Sequence, residues 1–166
     1  GKIPTDKDFM EALNRGLPNT AMPGWSHLPE VDRLSLMAFI KSISRKFQRF
    51  IQKKKTHKIV KVPEPPAFSL ESLKRGEELF LVNCSGCHGV KGRSDGTSTE
   101  RIVDIPTGAS WPRNLTKPWT FRRRNTRNDL YLTLRTGLYG SAMPMFSTRT
   151  TSDQQIWDIV HYVQTL

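Results

Sequence analysis

Five consecutive residues, Cys84-Ser-Gly-Cys87-His88, constrain this chain more than any other part of its sequence. They contain both of the chain's cysteines, which are too few for a fold held by a network of disulfides. The spacing is typical of three kinds of site: a redox-active dithiol, half of a zinc site, or a point of covalent haem attachment. Deciding between these sites decides much of the fold and the chemistry.

The first two kinds of site need partners that the sequence does not offer. A zinc site needs four ligands, and the remaining histidines are scattered along the chain. A thioredoxin-like dithiol belongs to a βαβ unit, and no strand pattern is visible. Cysteines three residues apart adjoin on one helical turn, where they suit thioether bonds to the two vinyl groups of a porphyrin. The motif therefore predicts one covalent haem c, attached to Cys84 and Cys87, with His88 as an axial ligand of the iron.

An internal repeat organises the rest of the chain. Residues 5–25 align without a gap to residues 126–146, and eight of the 21 positions are identical. Each copy leads into an amphipathic pattern that predicts a helix, over 29–45 and over 152–166. We interpret the repeat as a duplicated half-module, and its first copy as a module that lacks its front half. A second haem would be bound only if residues upstream of this sequence complete that first module. The start at Gly1 suggests a processed product or a fragment, and a half-domain completed by another chain is the alternative.

The repeat also indicates a second axial ligand. Met143 lies in an irregular loop stiffened by the proline that follows it, and it recurs as Met22 within the same Ala-Met-Pro triplet. A lone methionine in apolar surroundings usually only fills space, so this recurrence is what favours Met143 as a ligand. Met145 is the alternative. Because no Cys-x-x-Cys-His motif precedes Met22, that residue is either half of a second haem site or a relic in a core.

Helix signals and prolines divide the chain into segments. Ser69 predicts a helix capped at its start and running to about Asn83, Gly137 suits a left-handed cap ending a short helix, and Ser152 with Gln155 predicts a capping box. The first of these helices has five candidate core residues: Leu70, Leu73, Leu79, Phe80 and Val82. Residues 62–67 form a stiff, proline-rich connection. We predict a partial module over 1–46, a basic, proline-rich linker over 47–67 and a complete module over 68–166. No apolar run approaches the length of a membrane-spanning helix.

With these features the chain resembles the class I c-type cytochromes, specifically the bacterial dihaem type made of two tandem modules. The matching segments are Gly76 with Phe80, residues 84–89, 92–96, 112–116 and 140–144, and the terminal helix through Tyr162. The resemblance implies an all-α class I cytochrome c fold, with one complete module and one partial module. It also implies that the first and last helices of the complete module cross nearly at right angles, with Gly76, Phe80, Trp157 and Tyr162 at the crossing.

The same resemblance implies further roles around the haem. A backbone carbonyl near Pro112 is expected to accept the Nδ1–H of His88, which orients the ring and raises its basicity. Leu115 is expected to lie on the haem edge. Trp111 and Arg113 are candidates for hydrogen bonds to the haem propionates, with an ordinary surface position as the alternative for Arg113.

Ligation by histidine and methionine leaves no open position on the iron, so the expected chemistry is outer-sphere electron transfer rather than catalysis. The resemblance implies a relay between redox proteins in the periplasm or an equivalent compartment. One alternative is a haem-bearing subunit of a larger oxidoreductase complex. Another is a haem peroxidase or gas sensor, which would need a vacant or labile sixth position.

The net charge of +11 indicates an anionic partner. The strongest basic patch is the connector, which has no acidic residue between Arg33 and Pro63, and Arg122-Arg-Arg124 is the second. We interpret these patches as docking sites for an acidic redox protein or a catalytic subunit, with a solvated linker or peripheral contact with an anionic membrane as alternatives. Nucleic acid is not expected, because no nucleic-acid-binding motif accompanies the charge.

Overall fold

The computed structural model describes residues 3–18, 20–53, 59–98, 111–138 and 141–166. Helices and loops make up all of these residues and no strand occurs among them, so the all-α prediction is confirmed. The chain divides into two compact units, residues 1–59 and residues 60–166. None of the described helices is both long enough and apolar enough to cross a membrane.

Three helices are described in the first unit, which are α1 (Asp6–Arg15), α2 (Glu30–Ile43) and α3 (Arg45–Gln52). The helix predicted over 29–45 is interrupted at Ser44, whose extended backbone ends α2 and whose side chain accepts a hydrogen bond from the N–H of Phe47 to cap α3. Helix α3 therefore occupies the start of the predicted linker. The lysines at 54, 55 and 58 of the basic connector lie outside the described residues.

The described residues of the second unit form four α-helices, which are α4 (Leu70–Asn83), α5 (Ser85–His88), α6 (Arg127–Thr136) and α7 (Asp153–Val163). A short 3-10 helix, Pro118–Thr120, lies between α5 and α6. Both predicted start signals are confirmed, since Ser69 and Ser152 form capping boxes at the beginnings of α4 and α7. The aromatic and aliphatic core is formed largely by α6 and α7, with Val60 and Val62 packed against it.

The largest helix–helix interface in the described chain joins α4 to α7. The buried side of α4 is a stripe of residues four apart, Ser72, Gly76, Phe80 and Cys84, which lie on one face of the helix. The prediction that Leu70 and Val82 belong to the core is wrong, because 80% and 84% of their surface is exposed. Within this stripe the two backbones approach most closely at Gly76, where an added Cβ would lie 2.0 Å from the carbonyl oxygen of Asp158.

Helix α7 is buried on all sides over residues 156–161, as expected for a helix in the centre of a domain. This burial includes Asp158, which accepts two hydrogen bonds from the Arg75 guanidinium at 2.8 and 3.1 Å. Phe80 packs on Tyr162 as expected, with ring centroids 5.2 Å apart. Trp157 is buried and packs on Tyr131 of α6, with ring centroids 4.7 Å apart.

The internal repeat is confirmed in the backbone of both units. In the first unit the N–H of Leu17 donates to the carbonyl of Met22 at 3.1 Å, and in the second unit the N–H of Leu138 donates to that of Met143 at 3.3 Å. A glycine with positive φ precedes each of these bonds, with φ of 74° at Gly16 and 62° at Gly137. Each copy therefore folds its Ala-Met-Pro triplet into the same hydrogen-bonded loop.

Candidate haem-binding site

The cysteine motif forms a single helical turn directly after α4. The N–H groups of Cys87 and His88 both donate to the carbonyl of Cys84, at 3.2 and 2.9 Å, and Gly89 ends the turn with a φ of 77°. This arrangement follows from local sequence, because residues three and four apart on a helix are neighbours. Both sulfur atoms and the imidazole thus belong to one short rigid element.

A cavity of about 580 Å³ lies beside this turn, within the second unit. Its wall contains every residue that the sequence and the resemblance assign to cofactor binding, namely Cys84, Cys87, His88, Trp111, Pro112, Arg113, Leu115 and Met143. Most of the remaining wall is apolar, and α6 and α7 contribute Leu130, Leu134, Ile159, Val160 and Val163 to it. A cavity with this lining suits a large apolar group that carries a metal at its centre and charges at its edge.

The ring of His88 is held in one orientation by the backbone. Its Nδ1–H donates to the carbonyl oxygen of Arg113 at 2.9 Å, so the expected acceptor lies next to Pro112. The carbonyl of Pro112 itself accepts a hydrogen bond from the Ser94 hydroxyl at 2.6 Å. Burial lowers the pKa of His88, although the hydrogen bond to Arg113 opposes this effect. The neutral ring therefore keeps an unprotonated Nε2, which is the atom that can bind a metal.

The chemistry of the thiols argues against a redox dithiol. Burial raises the pKa of Cys84 to about 12, and the neighbouring Cys87 adds to the shift. Reactive dithiols depend on the opposite change, a pKa low enough to supply a thiolate near neutral pH. The zinc reading has no support either, because within the ranges that the structure describes no three His, Cys, Asp or Glu side chains could hold a metal ion together.

The loop that carries Met143 is also tightly constrained. The N–H of Phe146 donates to the carbonyl of Leu134 in α6 at 2.9 Å, so the backbone is held three residues after Met143. The carbonyl of Met143 itself accepts the N–H of Leu138. Met143 lines the cavity, whereas Met145 lies outside its wall and is 58% exposed. Gly140, part of the segment matched to the family, lies outside the described residues.

Gly137 is required for this loop. Its φ of 62° agrees with the predicted positive value, but its ψ of −175° lies outside the left-handed helical region and is a conformation that essentially only glycine adopts. An added Cβ would lie 2.8 Å from the carbonyl oxygen of Met143 and 3.0 Å from the nitrogen of Met145. The glycine thus permits both the turn and the close approach of the loop.

We predict that Gly137→Ala lowers the free energy of unfolding by about 1–3 kcal/mol, because the side chain forces a strained backbone. It should also weaken the far-red absorption that a bond between the Met143 thioether and ferric haem iron would produce. Denaturant unfolding measures the loss of stability, and the absorption spectrum of the oxidised protein measures the loss of the far-red signal. Gly16→Ala is a matched control, since Gly16 has the same conformation in the first unit. That variant should leave the absorption of the second unit unchanged, and an equal change in both variants would contradict the assignment.

Four arginines line the cavity, namely Arg113, Arg122, Arg123 and Arg124. No acidic side chain of the described residues is part of the wall. Burial lowers the pKa of Arg113, and the positive charge of Arg122 lowers it further. Two carboxylates at the edge of a bound group would relieve this repulsion, as haem propionates do. The sequence marked residues 122–124 as a basic patch for a partner protein, and it contained no sign that they reach the haem cavity.

Comparison with known proteins decides the family. A family model described as Cytochrome c matches residues 73–166, more than half of the chain and all of the elements that surround the cavity. The chain belongs to the cytochrome c family. Its cofactor is therefore covalently bound haem c, and its role is haem-based electron transfer, in agreement with the sequence prediction. The cavity, the paired cysteines and the arginines fit that cofactor.

A solved structure is similar to this cytochrome over nearly its whole length. It is a chain of the Kuenenia stuttgartiensis reducing HAO-like protein complex Kustc0457/Kustc0458, with 31% sequence identity and a TM-score of 0.88. The match covers 99% of this chain and 73% of that chain. No match was found among curated proteins.

Proposed function

We propose that this cytochrome relays single electrons between redox proteins outside the cytoplasm and is not itself an enzyme. The observation that carries the proposal is that His88 and Met143 line the same cavity as the two attachment cysteines. Bound haem supplies the one-electron couple of the iron. Two protein ligands would fill both axial positions, and a site without an open position transfers electrons but does not bind a substrate at the metal.

In this proposal the residues of the chain divide the work of holding the group. Cys84 and Cys87 form the covalent bonds, and His88 binds the iron through Nε2 while Arg113 fixes the ring. Leu115 would pack against the edge of the macrocycle; this is supported by its place in the wall of the same cavity, where its N–H donates to the carbonyl of Gly92 at 2.6 Å. Apolar residues of α6 and α7 exclude water, which favours the reduced state because it carries less charge.

Carbon monoxide distinguishes this relay from a peroxidase or a gas sensor. The reduced protein should not change its spectrum when carbon monoxide is added, because Met143 occupies the sixth position. Met143→Ala should bind carbon monoxide quickly and lower the reduction potential, since a thioether ligand favours a high potential. Met145→Ala is the control and should behave as the unmodified protein. Rapid binding by the unmodified protein would favour the sensor or peroxidase instead.

The partner in this proposal is an acidic redox protein or a catalytic subunit. Apolar residues are exposed on both sides of the attachment turn, with Leu81 40%, Val82 84% and Val90 64% exposed, and the chain has a net charge of +11. An apolar centre with charged surroundings is typical of protein interfaces, and complementary charge speeds the encounter of redox partners. Peripheral contact with an anionic membrane is the alternative for the basic connector.

A permanent place in a larger oxidoreductase complex is a second candidate function. It is favoured by the similarity, over 99% of this chain, to a chain of the reducing HAO-like protein complex. Purification of the natural protein under mild conditions tests it. A catalytic subunit that remains bound at a fixed ratio through gel filtration would support this candidate, and a monomeric cytochrome would support the free relay.

The tandem, dihaem organisation is part of the same proposal, with the first unit as the back half of another cytochrome module. Its Met22 loop repeats the hydrogen bonds of the Met143 loop. Its α2 occupies the sequence position of α7, yet Leu34, Leu36 and Phe39 are 44%, 38% and 61% exposed, whereas α7 is covered by α4. A haem beside Met22 would need a second Cys-x-x-Cys-His motif, which these 166 residues do not contain. The intact mass of the natural protein, which counts covalent haems, decides between one and two.

A further inference from the structure

A buried arginine that the sequence did not single out lies next to the Met143 loop. Arg135 is 4% exposed, although it sits on α6 among residues that line the haem cavity. A buried guanidinium is costly unless its N–H groups are bonded. Here three of its nitrogens donate four hydrogen bonds, and the ring of Tyr131 lies 5.5 Å from its central carbon. Four of the five N–H groups of the guanidinium are thus bonded, which indicates a built arrangement.

The partners of Arg135 come from three parts of the second unit. Its Nε donates to the Tyr131 hydroxyl at 3.1 Å, within α6. One terminal nitrogen donates to the backbone carbonyls of Phe146 and Thr151, at 3.2 and 2.8 Å. The other forms an ion pair with Asp153 at the start of α7, and the Tyr131 hydroxyl donates to the same carboxylate at 2.5 Å. One side chain thus ties the segment after Met143 to both flanking helices.

The attachment point at Phe146 matters because of its place in the chain. Phe146 follows Met143 by three residues, its N–H is bonded to α6, and its carbonyl is held by Arg135. On the other side of the loop, the carbonyl of Met143 accepts the N–H of Leu138. The side chain of Met143 therefore projects from a short stretch of backbone that is anchored at both ends.

The other copy of the repeat shows what this loop is like without the arginine. The first unit keeps the positive-φ glycine, the bond from Leu17 to Met22 and the bond from Trp25 to Leu13 at 2.7 Å. The position of Arg135 is taken there by Asn14, whose side-chain oxygen accepts a hydrogen bond from Arg33. The loop shape consequently does not depend on the arginine. The extra connection occurs in the unit that carries the cysteine motif.

We propose that Arg135 is a positioning residue that keeps the Met143 sulfur on the haem iron by anchoring the loop at Phe146 and Thr151. The proposal rests on the proposed role of Met143 as a ligand. Without the arginine the loop still forms, but it opens more often, since local opening is governed by the bonds that hold a segment. Each opening exposes the iron to ligands from solution.

The test compares Arg135→Gln and Arg135→Lys with the unmodified holoprotein. Arg135→Gln should speed the binding of imidazole to the oxidised protein by about tenfold or more, the effect of losing one or two buried, charge-assisted hydrogen bonds. It should also weaken the far-red absorption that a bond between thioether and ferric iron produces. Arg135→Lys keeps the charge but offers a single donor nitrogen, so its effect should lie between those of the other two proteins.

Arg75→Gln is the matched control. It breaks a second ion pair between an arginine and a carboxylate of α7, Arg75–Asp158, in which the arginine belongs to α4 and not to α6. Denaturant unfolding should show that both glutamine variants lose stability. Only the Arg135 variants should bind imidazole faster and lose far-red absorption.

The outcomes separate this inference from the proposed function. If the unmodified protein lacks the far-red absorption, Met143 is not the ligand and both proposals are wrong. If the unmodified protein has the absorption but the Arg135 variants bind imidazole no faster than it does, the positioning role alone is wrong. The same holds if Arg75→Gln speeds imidazole binding as much as the Arg135 variants do. Should Arg135→Gln fail to fold, Arg135→Lys decides by the same criteria.

Discussion

A variant with alanine at both Cys84 and Cys87 should release all of its haem into acidified organic solvent, whereas the unmodified cytochrome should retain it. Thioether bonds survive this treatment, but bonds from the iron to His88 and Met143 do not. The intact mass should correspondingly fall by one haem. Gly86→Ala, between the two cysteines, is the matched control, because a Cβ there meets no atom closer than 3.5 Å. Haem that remains attached to the double variant would overturn the assignment of the whole site.

Extraction of the haem should also unfold much of the second unit. The bound haem would cover the apolar side chains that line the cavity of about 580 Å³, and its removal leaves them facing an empty space. The unit must then collapse or admit water. We expect the extracted double variant to keep helical far-ultraviolet circular dichroism but to lose its near-ultraviolet signal and bind hydrophobic dyes, as molten states do. Retention of the near-ultraviolet signal would show that the fold does not depend on the cofactor.

Gly76→Ala should be among the most destabilising single substitutions in the protein. The new Cβ would lie 2.0 Å from the carbonyl oxygen and 2.6 Å from the carbonyl carbon of Asp158, and the backbone of α7 cannot move aside as a flexible side chain would. Helices α4 and α7 must therefore separate, which loosens the contact of Phe80 with Tyr162. We expect a loss of about 4 kcal/mol or more in the free energy of unfolding.

Chemical denaturation of the holoprotein measures this loss, with Glu78→Ala on the exposed side of α4 as the control. The control should change the stability little, since exposed substitutions away from special features are usually within about 0.5 kcal/mol of neutral. A Gly76→Ala protein as stable as this control would mean that the two helices do not meet as closely as described.

The parts of the site that sequence analysis predicted correctly depend on residues close together in the chain. The turn at 84–88, the caps at Ser69 and Ser152 and the paired Ala-Met-Pro loops each involve contacts within about six residues. Their geometry follows from helix spacing and backbone conformation alone. The domain boundaries at 46 and 67 remain predictions, although the division between the two units falls between them.

The errors concern residues whose surroundings come from distant parts of the chain. Leu70 and Val82 are apolar and on a helix, and nothing local shows that α7 lies against Ser72 and Gly76 instead. Trp157 is buried as expected, and its ring packs on Tyr131 of α6, a contact that the sequence did not indicate. Hydrophobicity identifies residues that favour burial, and it does not identify the face that another helix will approach most closely.

The amino-acid sequence by itself determined the cofactor, the way it is attached and the repeat, because covalent chemistry and single turns need only neighbouring residues. Only the tertiary structure decided which carbonyl holds His88, that arginines 122–124 reach the cavity, and that Arg135 anchors the loop of Met143. Each of these contacts joins residues 10 or more positions apart in the chain, so it exists only after α4, α6 and α7 have assembled around a common core.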